Sequence, residues 1–201
     1  MSVVGNGISP EGAPTFTFGK VVQFLAVAFD VSGIKYKTFA SRLQQLQKMG
    51  LPNGTNTGRG IRAAYETWHL CEFQFYLDLL QAGVSPSMVA ARFADAPFYA
   101  AEGVGSEAES RAAEGEHFYA YVQINALKYL ESDSLSALRD DSSSYTEFSL
   151  GSDLSRLLPI ARHKPGVLVD LAVRIDVLKR AVGKVMPQHA DLAFFRKPGG
   201  E

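Results

Sequence analysis

Residues 51–68 read LPNGTNTGRGIRAAYETW. Its first half is Pro, Asn, Gly and Thr, which do not hold a helix interior, because Pro lacks the N–H and Gly loses too much backbone freedom. Two arginines and a tyrosine follow, and a dense apolar segment begins at once. A glycine-rich tongue carrying Arg59 and Arg62 between two helical patterns has three physical readings. It is a cradle for a nucleotide phosphate, a β-hairpin that grips a nucleic-acid backbone, or a solvated loop.

The flanking patterns are helical. Upstream, TFGKVVQFLAVAF (17–29) is apolar nearly all round and starts with Thr17 in the N-cap position, which predicts a buried helix. DVSGI (30–34) predicts a turn. In KYKTFASRLQQLQKMG (35–50), Phe39, Leu43 and Leu46 share one face, and Gly50 and Pro52 end the helix. Downstream, ETWHLCEFQFYLDLLQAG (66–83) carries two apolar stripes, one with Leu70, Phe73, Leu77 and Leu80, the other with Trp68, Cys71, Phe75 and Leu79. Such a helix is buried on two sides. A short helix follows at 84–93, with Ser85 as cap and Pro86 at its first position.

The rest of the chain reads as a separate part. Residues 95–116 are small and acidic, as in a linker. HFYAYVQIN (117–125) alternates with Phe118, Ala120, Val122 and Ile124 on one face, and YTEFSLG (145–151) is a second short strand. LKYLESDSLSALRDD between them is a weak helix or a loop, and SDLSRLLPIA is a capped helix that breaks near Pro159. PGVLVDLAVRIDVLKRAVGKV (165–185) is expected as one amphipathic helix, with Asp170 to Arg174 and Asp176 to Arg180 as ion pairs. The organisation expected is an arm at 1–16, a helical domain at 17–94, the linker, an α+β module at 117–187 and a tail at 188–201.

Composition narrows the function. Hydrophobic residues are 46% and charged residues 20% of 201, ordinary for a globular protein. No apolar run reaches the ~18 residues that span a membrane, and no basic, then apolar leader opens the sequence. The single Cys71 fits a reducing cytoplasm. Net charge is −1, unevenly spread: residues 15–70 hold seven Lys or Arg against two acids, and residues 96–145 hold three against nine.

Catalysis finds little support. His69, His117, His163 and His189 lack metal-ligand spacing, and His69 and Cys71, two apart on a helix, point away from each other. The reading for them is a partly exposed His and a buried free thiol. There is no nucleophile elbow and no acid/base carboxylate pair, so neither an enzyme, nor a metal, nor a cofactor is expected. Gly54, Gly58 and Gly60 lack the Lys-Ser/Thr of a phosphate-binding loop and follow a helix rather than a strand.

Two helices, a hairpin-prone tongue and two further helices make a winged helix-turn-helix, mainly α with short β. In that arrangement the second helix lies in the major groove and the wing touches the neighbouring backbone. Helix 36–49 has the surface for it: Lys35, Lys37, Thr38, Ser41, Arg42 and Gln45, with Gln44 and Lys48, can donate to phosphates or base edges. On the wing 52–65, Arg59, Arg62 and Tyr65 are donors with the reach to hold phosphates.

The succession RLQQLQKMGLP (42–52), GRGIRAAY (58–65) and LLQAGVSPSMVA (79–90) resembles the MerR-like DNA-binding domain. That family runs from a recognition helix ending in Gly-Leu, through a wing with Arg and an aromatic, to a helix that closes in a Gly-Val-Ser type turn. The resemblance implies that Arg42 sits in the recognition helix and that Arg59, Arg62 and Tyr65 contact phosphates from the wing. The turn DVSGIKYK is longer than the family's, and an acidic linker stands where the family has its coiled coil. The chain is therefore similar to MerR-like domains of phage or gene-transfer-agent-type regulators, without the cysteines of the metal sensors.

The function expected is a sequence-specific, nucleoid-associated transcription regulator of double-stranded DNA. The alternatives are an excisionase-like architectural protein or an adaptor that binds RNA polymerase or another transcription factor. Leu171, Ile175, Leu178 and Val182, spaced 4-3-4, are expected as the seam of a homodimer or partner interface.

Overall fold

The computed structural model describes residues 12–55, 63–94, 97–99, 103–124, 148–161 and 165–195. These residues are mainly helical, with a small antiparallel sheet. Helix α1 (Phe18–Ala28) is capped as its sequence predicts, the Thr17 hydroxyl accepting from Lys20 N–H, and it buries Val21, Val22, Phe24, Leu25 and Ala26. A turn with Asp30 and Gly33 at positive φ (51° and 60°) leads into α2 (Lys35–Lys48). The chain then passes through Gly50, at φ 85°, to Leu51, which is fully buried.

Helix α3 (Thr67–Gln81) is buried along every face from Thr67 to Leu79, as its two apolar stripes require. Helix α4 (Pro86–Phe93) starts where the Ser-Pro signal places it, with the Ser85 hydroxyl accepting from Met88 N–H at 3.3 Å. The stretch expected as a linker carries a fifth helix, α5 (Val104–Glu114). Its small residues allow close packing: a Cβ on Gly105 would stand 2.2 Å from the Phe195 ring.

The sheet has the order β2-β1-β3, from β1 (Tyr119–Gln123), β2 (Phe148–Gly151) and β3 (Gly166–Asp170). Strand β1 pairs antiparallel with both neighbours, Tyr121 standing opposite Ser149 on one side and Leu168 on the other. Its expected inner face is buried at Phe118, Ala120 and Val122, and the opposite face is buried as well at Tyr121 and Gln123. Helix α6 (Leu154–Ala161) packs on β1 and β2 and continues through the expected break at Pro159. Residues 125–147, which hold the expected weak helix or loop and the first residues of the strand expected at 145–151, lie outside the described residues; that strand is described from Phe148.

One expectation is corrected at 165–185. The helix α7 begins only at Leu171 and runs to Val185, and β3 takes the five residues before it. Asp170 therefore ends a strand, caps α7 by accepting from Val173 N–H at 3.2 Å, and meets His117 Nδ1 at 2.5 Å. Arg174 pairs not with Asp170 but with Asp78 of α3, at 2.5 Å. Asp176 and Arg180 do pair, at 2.8 Å.

Helix α7 packs on α1, α3, α5 and β1, and one apolar cluster runs from Phe16 through α1–α4 to α7 and Phe195. The expected tail joins it. Phe194 and Phe195 are buried, their N–H groups donate to the Glu109 carboxylate at 2.9 Å each, and Thr67 Oγ1 donates to Phe194 O at 2.6 Å. At the other end, Phe16, expected in the arm, is buried; residues 1–11 lie outside the described residues.

Because helices from both halves share this core, Ile175→Ala is expected to lower stability by ~2–5 kcal/mol. Unfolding in urea should move as one transition, and the isolated segment 115–201 should show no cooperative melt. Two transitions, with only the later one displaced, would contradict the shared core.

Candidate nucleic-acid interface

The helix α2 is built to show one face. Leu43 and Leu46 are buried, and Phe39 packs against Phe29 of the turn with ring centroids 6.2 Å apart. Outward, Thr38, Ser41, Gln45 and Lys48 lie in one line at helical spacing, with Lys37 and Gln44 on one flank and Lys35 and Arg42 on the other; all are exposed. The sequence-predicted residues Lys35, Lys37, Thr38, Ser41, Arg42 and Gln45 are thus brought together on one surface. The helix carries no acid, and none of its four cations pairs with a carboxylate among the described residues. The Ser41 hydroxyl donates to Lys37 O at 3.0 Å, so it presents its oxygen as an acceptor.

The roots of the tongue are fixed. Gln47 Nε2 donates to Thr55 O at 2.8 Å, and Thr55 Oγ1 donates to Pro52 O at 2.7 Å. On the return side, Tyr65 and Phe16 exchange both backbone hydrogen bonds, at 2.7 and 3.0 Å, in an isolated antiparallel bridge. Arg59 and Arg62 lie outside the described residues.

Tyr65 is a correction. Its ring is buried among Phe18, His69 and Phe73 and is not free to meet a phosphate. Burial pushes its phenol up to about 12. The reason is physical: an aromatic ring beside a helix start gains more by filling the core than by holding one hydroxyl in water.

The seam residues are a second correction. Leu171, Ile175, Leu178 and Val182 are fully buried within the chain, against α1, α3, α5 and the sheet, and offer no surface to a second copy. Spacing alone does not distinguish a helix that packs on its own core from one that packs on a partner.

Helix α3 buries several titratable groups, His69, Cys71 and Asp78 among them. His69 is buried rather than partly exposed; its Nδ1 accepts from the Glu66 N–H at 2.9 Å, which closes the start of α3, and its ring stacks on Trp68 at 3.7 Å. Burial lowers its pKa to about 4, against backbone hydrogen bonds with Asn53 and Glu66 that raise it. The Asn53 contact ties α3 to the tongue's root. Asp78 is raised to about 6, because burial outweighs the Arg174 guanidinium beside it. Cys71 is fully buried, and burial, with Glu109 and Glu72 near by, pushes its thiol up, away from the reactive thiolate.

Comparison with family models, with curated proteins and with solved structures gives no match for this chain. No helix among the described residues is long and apolar enough to cross a membrane.

His69 and Asp78 make opposite demands on pH. The folded state keeps His69 neutral, so stability is lost as pH falls from about 6.5 toward 4. The folded state holds the Asp78 proton more tightly than the unfolded chain does, so that contribution is gained as pH falls from about 6. Asp78→Asn removes the compensation. The urea midpoint of this variant is expected to fall more steeply than that of the unaltered protein between pH 6.5 and 4, and His69→Asn should fall less. Parallel curves for all three proteins would refute the assignment.

Proposed function

We propose that this protein is a sequence-specific DNA-binding regulator of transcription that lays α2 in the major groove of double-stranded DNA. The observation that carries the reading is the outer face of α2: Lys35, Lys37, Arg42 and Lys48, none paired with a carboxylate among the described residues, stand with a line of hydroxyl and amide groups on a helix without an acid. Cations supply the phosphate attraction, while Gln, Thr and Arg side chains of that reach pair with base edges. A helix of 14 residues, packed on α1 through its inner face only, has the length and the free side to enter a groove ~12 Å wide.

Three further features support the winged helix-turn-helix form. The helices α1 and α2 are joined by a short turn, as in the first two helices of that motif. The tongue leaves α2 at a pinned loop and returns through the extended Tyr65, which pairs with the strand-like residue before α1. The order of the elements 17–93 agrees with the MerR-like resemblance of the sequence. On this reading Arg59 and Arg62 clamp the backbone, and the protein works at the nucleoid.

Two variants separate the roles. Arg42→Ala is expected to relax the preferred sequence at one or two base pairs, by roughly 1–3 kcal/mol each, with the fold unchanged. Arg59→Ala combined with Arg62→Ala should weaken binding to every duplex alike and flatten the salt dependence, because phosphate contacts carry no sequence information. The measurement is selection from a randomised duplex pool, followed by polarisation titrations on the enriched site at several salt concentrations. A protein that enriches no site, or whose affinity is indifferent to salt, does not have this function.

A further inference from the structure

We propose that Ile34 reads the C5-methyl group of a thymine in the major groove, as the apolar end of the line of contacts on α2. The inference rests on the DNA-binding reading above and goes beyond it to one residue and one base.

Ile34 is 97% exposed, whereas the other exposed large apolar side chains among the described residues, Val27, Leu158, Leu168 and Val173, lie between 37% and 51%. A fully solvated isoleucine gains nothing for the fold. Its backbone is already helical, at φ −61° and ψ −32°, so the helical spacing of α2 extends to it. Ile34 then stands on the same line as Thr38, Ser41, Gln45 and Lys48, one turn before Thr38. It occupies the N-terminal end of the face, the end from which groove-reading helices touch base edges.

The position is held. Val31 N–H donates to Ala26 O at 2.8 Å and Tyr36 N–H to Gly33 O at 3.1 Å, so the turn is hydrogen-bonded on both sides of the residue. A β-branched side chain is stiff at χ1, and little freedom is lost when it meets a partner. Lys35 and Lys37 beside it are exposed and bring phosphate-directed charge to the same end. Among the groups a major groove displays, the thymine methyl is the apolar one, and an apolar side chain is its complement.

The experiment uses the full chain. A site is selected from a randomised duplex pool, each thymine in it is replaced by uracil in turn, and the unaltered protein and Ile34→Ala are titrated on every duplex. Uracil lacks only the C5-methyl group. At one thymine the unaltered protein is expected to lose about fourfold in affinity on replacement, the worth of one buried methyl group. Ile34→Ala should show that loss on the thymine duplex and no further loss on the uracil duplex. Because Ile34 touches no core residue, the variant should melt as the unaltered protein does. If a site is enriched but uracil replacement affects both proteins equally at every position, the Ile34 assignment is overturned and DNA binding stands. If no site is enriched, the DNA reading falls and the assignment falls with it.

Discussion

Helix α7 has more apolar surface than a three-stranded sheet covers. Leu171, Ile175, Leu178 and Val182 run along it, and Ala172 and Ala181 widen the stripe. Left in water this face would forfeit roughly 25 cal/mol for each Å², so it is closed by α1, α3 and α5 as well as by β1. That closure puts α3 in the middle of the molecule. A central helix has no solvent side on which to place its polar residues, and Glu72 and Asp78 are buried with the rest. Each finds a specific partner: Glu72 Oε1 accepts from Tyr99 N–H at 2.5 Å, and Asp78 takes Arg174 of α7. The ion pair between α3 and α7 therefore joins the two halves of the sequence within the core.

Helix caps and the faces of α2 are legible in the sequence because the deciding groups lie within one or two turns of each other. Thr17 and Ser85 cap helices because a hydroxyl there meets an N–H three residues on. The inner and outer faces of α2 follow from the spacing of Phe39, Leu43 and Leu46. Strand β3 is hidden in the pattern because VLVDLAVRI satisfies both periods: the β-branched residues suit a strand, while Leu171, Ile175 and Leu178 suit a helix. Asp170 looked like the first member of an i,i+4 pair, yet the same carboxylate makes an N-cap, and a cap marks a boundary. Long-range partners left no trace in the pattern. Glu109 meets Phe194 and Phe195 some 85 residues away, which turns an acidic linker and an apparent tail into one packed unit.

The surface proposed to meet DNA was legible in the same unequal way. Polar residues at helical spacing opposite a leucine stripe announce an exposed face, and Lys35, Lys37, Thr38, Ser41, Arg42 and Gln45 stand on it. Tyr65 carries a polar tip that suggests a phosphate contact, yet its ring decides its place, since the rings of Phe18, His69 and Phe73 surround it. In the sequence Ile34 belongs to a turn, because a single apolar residue next to Gly33 has no periodic neighbour until the helical backbone at 34 is known.

The buried core and the exposed helix are mechanically related. Helix α2 rests on α1, and the turn between them carries Phe29, whose ring lies 5.6 Å from the Arg174 guanidinium. Arg174 in turn grips Asp78, so the turn, α7 and α3 meet at one cation. On the tongue side, His69 joins the start of α3 to Asn53, and Gln47 joins α2 to Thr55. Both ends of α2 are thus referred to α3 through named contacts rather than through loose loops. A helix that reads bases must keep its side chains within a few tenths of an ångström of their hydrogen-bonding positions, and rigid support from packed elements supplies that. The polar groups buried in α3, costly as they are to desolvate, anchor the face that the rest of the fold leaves free.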